Sequence, residues 1–458
     1  MELLRALFLI LDMWRPAFCK EAAFRRAKSL AIACLCGYGR KTITSMAIFL
    51  GRPKAIPIAD YKFYSEGTWN AEDLFNPILL AGSQYCHEDY ITVAADDTKI
   101  HKTGKKIPHA CWQADPMGPP FQVNLIWGLR YLQMSMILPL YTCSESTPAR
   151  AIPIRFVSAP SVKKPGKKAT EEQMAAYRIL SKQKNLSTIF VDNVKRLRIS
   201  MDDMGLQNKT LIMSCDGSFC NKTCMAIDDP RIIMMARCRK DAKLCFQAPA
   251  NSRKTYDETK FSPDGVRKDD TIPWQTGSFF YGGQWREISY KTVPNVLWQN
   301  GTKKKPLRLI VLKPLPYVRG GRKNYRDPAY ILTTSLDAPI EVLIQAYLDR
   351  WQIEYNHRDE KSILGVGEAQ VWSENSVIRQ PAFHVAVYSA MLLANVMVYQ
   401  DQTHSDFGPA PKWRKKPKRN TCRALVGLLR ATLLEHPEEI ESMGMTLPQI
   451  SEILRQVA

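Results

Sequence analysis

Apolar residues in the first fourteen positions, MELLRALFLILDMW, recur with helical spacing and are interrupted by Glu2, Arg5 and Asp12, a pattern that predicts a buried helix. Three- and four-residue apolar spacing in 22–35 and 42–50 predicts two more, so residues 1–88 read as a helical region. Within it, GYGRKTITSMAIFLGRPK combines a Gly break, a Thr-rich helix start and a Gly-Arg-Pro stop. That spacing fits a helix-turn-helix that binds DNA ends, although short helices joined by Gly turns also occur without such a role.

Beyond residue 88 the pattern turns to short β-rich runs. YITVAA (90–95), FQVNLIW (121–127), LQMSMILPLY (132–141), TLIMSC (210–215) and RIIMMARCR (231–239) read as five strands. A Pro/Lys loop at 159–168 precedes a helix at 170–184, opened by the capping-type sequence TEEQ. Three strands, a helix and two further strands make an α/β layer around one sheet. Residues 245–320 break the pattern, being rich in Trp, Tyr, Gly and Lys, and alternate in WREISYKTV and PLRLIVLKPL around a basic turn, QNGTKKKP. They read as a β-rich insertion. A helix is predicted at 339–364 and another at 383–399, then a solvated basic linker at 411–420 and a helical tail at 421–458. The expected division is 1–88, 89–244, 245–320, 321–400 and 401–458.

Charge narrows the partners. Lys and Arg number 64 against 44 Asp and Glu, a net +20 over 458 residues, which attracts polyanions and makes nucleic acid the leading expectation. Apolar runs are broken by charged residues or His384 before the ~20 uninterrupted positions a bilayer span needs, so no membrane association is expected. Twelve cysteines without a repeating framework favour reduced thiols in a cytosol-like compartment. Five of them (Cys215, Cys220, Cys224, Cys238 and Cys245) lie close together but lack paired C-x2-C spacing, which argues against zinc.

The densest chemistry lies in AYLDRWQIEYNHRDEK, residues 346–361. On one continuous helix, Tyr347, Arg350, Glu354 and Lys361 fall within an arc of roughly 60°. A solvated face with an Arg350–Glu354 pair would look the same. Two further carboxylates weigh against that bland explanation: Asp96 (or its neighbour Asp97) after YITVAA, and Asp216 after TLIMSC. An Asp after a strand is also a routine turn residue. Converging carboxylates repel one another, and a hard divalent cation with oxygen ligands relieves that repulsion. Two such ions can activate an attacking oxygen and stabilise the leaving oxygen of a phosphodiester.

With those residues in place, the chain resembles the DDE transposases of bacterial insertion sequences, in the branch with a Tyr-x2-Arg-x3-Glu-x6-Lys signature. Tyr347, Arg350, Glu354 and Lys361 match it at every spacing; Asp96-Asp97-Thr98 matches the strand-Asp-x-Thr motif, and Asp216-Gly217 the second aspartate. The likeness spans roughly residues 40–400. It implies a ribonuclease-H-like core interrupted by the β-rich insertion, and cut-and-paste movement of DNA with terminal inverted repeats into target DNA. Asp96, Asp216 and Glu354 would hold Mg²⁺ (or Mn²⁺), two ions in all. Arg350, Lys361 and Tyr347 would hold the DNA backbone, and two element ends imply a homodimer in a bacterial cytoplasm. Some relatives stack a flipped base on an insertion-domain tryptophan; Trp298 is the candidate here, with core packing as the plainer explanation. A DNA-binding protein without activity, or a nuclease that does not join strands, are the competing functions. His357 stands near the inferred active face as a phosphate neighbour, while His101 and His109 are undecided between DNA and solvent. No G-x4-GK[ST] loop occurs, so nothing suggests ATP-driven strand movement.

Overall fold

The computed structural model describes residues 1–52, 57–115, 118, 121–144, 146–407 and 417–436. Its helices and strands, in chain order, begin with α1 (Glu2–Asp12), α2 (Glu21–Cys36), α3 (Ile43–Phe49), α4 (Ile58–Ser65) and α5 (Ala71–Gly82). There follow β1 (Tyr90–His101), β2 (Cys111–Ala114), β3 (Leu125–Leu138), β4 (Arg150–Ser158), α6 (Glu171–Gln183), α7 (Leu186–Asp203), β5 (Thr210–Cys215), α8 (Lys222–Met225) and β6 (Ile232–Arg237). Next come β7 (Leu244–Gln247), β8 (Tyr256–Phe261), α9 (Pro263–Lys268), β9 (Gln275–Phe280), β10 (Trp285–Val296), β11 (Leu307–Leu312), β12 (Pro316–Arg319), β13 (Arg322–Tyr325) and β14 (Ala329–Thr333). The chain closes with α10 (Ile340–Asp349), α11 (Gln352–Ser362), α12 (Glu374–Tyr399) and α13 (Cys422–Glu435).

One mixed ten-stranded sheet, ordered β2-β3-β1-β5-β6-β14-β11-β10-β9 with β4 on β3, occupies the centre, and helices cluster at both ends of the chain. β1, β5 and β6 are parallel; the other pairings are antiparallel. Side-chain alternation divides the core between the two faces. Val93, Ala95, Leu211, Met213 and Cys215 join the large cluster around α12, α5 and α7, whereas Ile212 and Ile233 pack against Leu343 and Ile344 of α10. Ala94 lies with Ile353 of α11. α10 and α11 therefore share the face opposite α12.

Several elements depart from the sequence pattern. β1 does not stop at residue 95: antiparallel pairing with β3 continues from Asp96↔Gln133 to His101↔Gly128, so both aspartates sit inside a strand. The runs at 121–127 and 132–141 merge into β3, because Gly128 lets the chain pass where any Cβ would stand 2.4 Å from the Ile100 carbonyl oxygen. β4 carries Pro153 at a register shift, which hides its β pattern. Within 245–320, β9, β10 and β11 extend the same sheet through β14, leaving β7 and β8 as a small pair of their own. The predicted helix 339–364 is two helices. At its break the hydrogen bonds tighten to i→i−3 (Ile353 N–H to Arg350 O, 3.1 Å; Glu354 N–H to Trp351 O, 3.1 Å), which shifts the angular phase between α10 and α11. The expected helix at 170–184 is α6, with a full Thr170–Gln173 capping box.

α12 is, among the described residues, the one helix long and apolar enough to cross a membrane, although no uninterrupted apolar run was expected to reach that length. Its most apolar stretch is 89% buried within the fold. The predicted linker at 411–420 lies mostly outside the described residues, as does the tail beyond 436. Its last residues return to the core at a buried ion pair. Arg150 donates to both Asp401 oxygens at 2.7 and 2.5 Å, and Asn395 and Asn420 complete the network. Removing one member of such a pair leaves an uncompensated buried charge. Asp401→Asn, which keeps the shape and tolerates the left-handed backbone (φ 61°), should cost about 3–5 kcal/mol in urea unfolding. A loss below ~1 kcal/mol would show that the pair does not anchor this segment.

Candidate active site

Parallel pairing of β1 with β5 sets Ala95 beside Cys215, so the next residues, Asp96 and Asp216, lie beside each other on the α10/α11 face. Asp97 points the other way, where Arg130 and Lys99 are its nearest opposing charges. This register favours Asp96 as the partner of Asp216. α11 packs over β1 and β4 and brings Glu354 and Lys361 to the same place.

Electrostatics tie the group together. Burial raises the Asp96 carboxyl to about 6; His357 pulls it down, and the negative charges of Asp216, Glu354 and Asp97 push it further up. The Lys361 side chain reaches solvent, yet packing around its ammonium lowers its pKa, against the pull of Glu360, Asp96, Glu354 and Asp97. Asp96 Oδ1 accepts from the Asp97 N–H (2.8 Å), and Asp216 Oδ1 from the Ser218 N–H (2.9 Å). Among the described residues, no three His, Cys, Asp or Glu side chains stand close enough to enclose an ion. With these local bonds in place, gathering the carboxylates about a cation requires side-chain turns. The donor set itself, three mutually repelling oxygen acids on one face, suits a hard divalent cation.

Beside the carboxylates lies a groove of about 1170 Å³, lined by nine Arg or Lys residues against three Asp. Two of the nine are engaged with acids, Arg150 with Asp401 and Arg358 with Asp359. The others include Arg237 from the end of β6, Arg286 from β10, Arg326 before β14, and Lys418 and Arg419 from the returning C-terminal segment. Tyr347 and Arg350 line the groove too; burial raises the Tyr347 hydroxyl pKa, while Arg237, Arg350 and Arg326 lower it. The Arg350 Nε is buried without a partner. α11 acts as a partition: Trp351, Gln352, Tyr355 and Arg358 face the groove, and Glu354, His357 and Lys361 serve the carboxylate side. The four signature residues therefore do not share one stripe; the phase slip at Arg350 divides them into a groove pair and a carboxylate pair.

Trp298 is not brought to this place. β5 and β11 run toward the carboxylate end and β10 runs away from it, with Tyr290 opposite Leu312 near the site and Val296 opposite Leu307 at the far end. Trp298 lies beyond that far end, half-buried against the core and over Gly301 of the basic turn. His109 meets Glu374 at 3.1 Å, and His357 is buried against Asp96 rather than held out to a phosphate. Arg237, Arg326 and Arg419 were missed because strand-end and linker cations carry no spacing signal. Cys215, Cys224, Cys238 and Cys245 are buried free thiols.

Compared with known proteins, the chain matches no family model and no curated protein sequence.

If burial, with the charge of its neighbours, disfavours the Asp96 carboxylate, removing that charge must stabilise the metal-free protein. A carboxyl held above its ordinary value costs stability as pH rises through about 4 to 6, and the full cost is present above that window. Asp96→Asn should therefore unfold later than the parent at pH 7.5 in EDTA, by on the order of 3 kcal/mol, with the gain fading toward pH 4. Equal melting at both pH values would remove Asp96 from the cluster.

Proposed function

We propose that the protein is a DNA transposase of the DDE class with a ribonuclease-H-like core, cutting and joining strands at inverted-repeat ends. One observation carries the reading: Asp96 and Asp216 side by side on one sheet face, met by Glu354 and Lys361, against a cation-lined groove that shares Tyr347 and Arg350. The strand order β3-β1-β5-β6, with β1, β5 and β6 parallel and β3 antiparallel, supports the finer fold assignment.

Asp96, Asp216 and Glu354 would hold Mg²⁺ or Mn²⁺, two ions in all. When bound, the ions supply charge to offset the carboxylates and to polarise the phosphodiester oxygens. The chain's own groups do the rest. Arg350, which lines the groove, is suited to grip phosphate with its guanidinium, and Lys361 offers a point charge beside the acids. Arg237, Arg286 and Arg326 extend the cationic surface along which a strand leads away from the site. In the N-terminal region, α3, ITSMAIF, carries no cation. Two DNA ends call for two protomers in the working assembly.

Supercoiled DNA carrying the flanking inverted repeats tests the reading. With Mg²⁺ the protein should nick or excise the element, while Glu354→Gln should bind the ends and leave them uncut. Equal cutting by both would sink the active-site assignment. End affinity should also fall by at least tenfold between 50 and 200 mM salt, as counterions are released; an affinity indifferent to salt would remove DNA as the partner.

A further inference from the structure

Two buried side chains on α11 have no role in the scheme above. His357 is 8% exposed and Glu360 1% exposed, one turn apart. The His357 Nε2 faces Asp96 Oδ2 at 3.9 Å, and its Nδ1 faces Glu360 Oε2 at 3.6 Å. Both separations lie just beyond hydrogen-bond length, and both ring nitrogens are buried without a partner, as is Glu360 Oε1. Burying three polar atoms unsatisfied costs about 1–3 kcal/mol each, so an arrangement that merely filled space would favour apolar residues.

Gln133 stands directly across the ladder from Asp96, and its Nε2 donates to Ser135 Oγ at 3.2 Å. Asn356, beside His357 on α11, donates to the same Ser135 hydroxyl at 3.1 Å and accepts from Tyr388 at 3.4 Å. The acids that face the ring nitrogens are Asp96, through Oδ2, and Glu360. The other Asp96 oxygen, Oδ1, is held by the Asp97 N–H. A shift of roughly 1 Å completes a chain from Glu360 through the imidazole to Asp96.

We infer that His357, backed by Glu360, is the positioning residue of Asp96: it hydrogen-bonds Oδ2 and so fixes how the carboxylate is presented to a divalent cation. The inference rests on the metal-site reading above and extends it to residues that touch neither ion nor DNA. Outer partners of this kind orient the inner ligand, and losing one weakens cation affinity by about 10–100-fold.

Mn²⁺ binding to the DNA-free protein, followed by electron paramagnetic resonance, reads this without any turnover. His357→Leu, close in volume but without a donor, should weaken Mn²⁺ affinity by about 10–100-fold. His357→Gln, which keeps an N–H donor, should remain within about threefold of the parent, and Glu360→Gln should fall between them. A purely structural role would treat Leu and Gln alike. If Glu354→Gln loses Mn²⁺ while His357→Leu and Glu360→Gln bind as the parent does, the positioning role is overturned and the site reading stands. If Glu354→Gln binds as the parent does, both fall. Should His357→Leu fail to fold, the Glu360→Gln and His357→Gln affinities decide: loss in the first with retention in the second upholds the inference, and no loss in the first overturns it.

Discussion

The register between β1 and β5 governs the rest of the site. Because side chains alternate along a strand, Asp96 and Asp216 share a face only while Ala95 stays opposite Cys215. A slip of one residue would send one aspartate to the opposite face and separate the pair. The apolar halves of both strands prevent that slip: Val93, Ala95, Leu211, Met213 and Cys215 are fully buried on one side and Ala94 and Ile212 on the other. The hydrophobic core thus fixes the position of two charges that gain nothing from it.

Given that register, α11 divides opposing charges into two compartments. On one side stand carboxylates whose charges add to the burial that raises the Asp96 pKa; on the other, a groove with three times as many cations as acids. Had Arg237 and Arg326 met the carboxylates directly, ion pairs would have neutralised both sets. Kept apart by one helix, the acids and the cations of the groove stay unpaired with each other, as the proposed function requires. Arg350 sits at the hinge, close enough to influence Cys215 at the end of β5 while lining the groove. Behind it, Asp349 is buried with its carboxyl pushed up to about 7, holding Tyr141 by a 2.8 Å hydrogen bond that secures the turn between the two helices.

Much of this could be read from residue order, and the exceptions have physical causes. α1, α2, α3, β5 and β6 lie where their apolar spacing put them, because burial on one face writes a period into the sequence. The extension of β1 through DDTK was hidden: only its antiparallel neighbour continues there, and half-exposed positions tolerate charge. Membership of β9–β11 in the main sheet was invisible since strand order is a long-range property. Asp96, Asp216, Glu354 and Lys361 interact electrostatically at one end of the sheet. The phase slip at Arg350 could not be read, as Asp349, Arg350 and Trp351 all keep helical dihedrals or helix-compatible identities. Trp298 was selected by residue type alone, and the direction of β10 carried it to the wrong end.

The unsatisfied atoms make a separate case that this end of the sheet is built for something besides stability. Thirteen buried side-chain nitrogens and oxygens have no partner among the described residues. Seven belong to Thr98, Gln133, Ser214, Arg350, His357 and Glu360, all on β1, β3, β5 or the α10–α11 segment. Chance would scatter them over a chain of this length, and each carries a cost of about 1–3 kcal/mol. Concentrated around mutually repelling carboxylates, they mark a region whose hydrogen-bonding capacity exceeds what the protein itself consumes. Strain and repulsion gathered at one point, and supported by an otherwise well-satisfied fold, are the usual thermodynamic signature of a site preorganised for a charged ligand. On the reading proposed above, a cation would offset the acids and a phosphate would meet Arg350 from the groove, so the carboxylates and the groove would serve one ligand despite the helix between them.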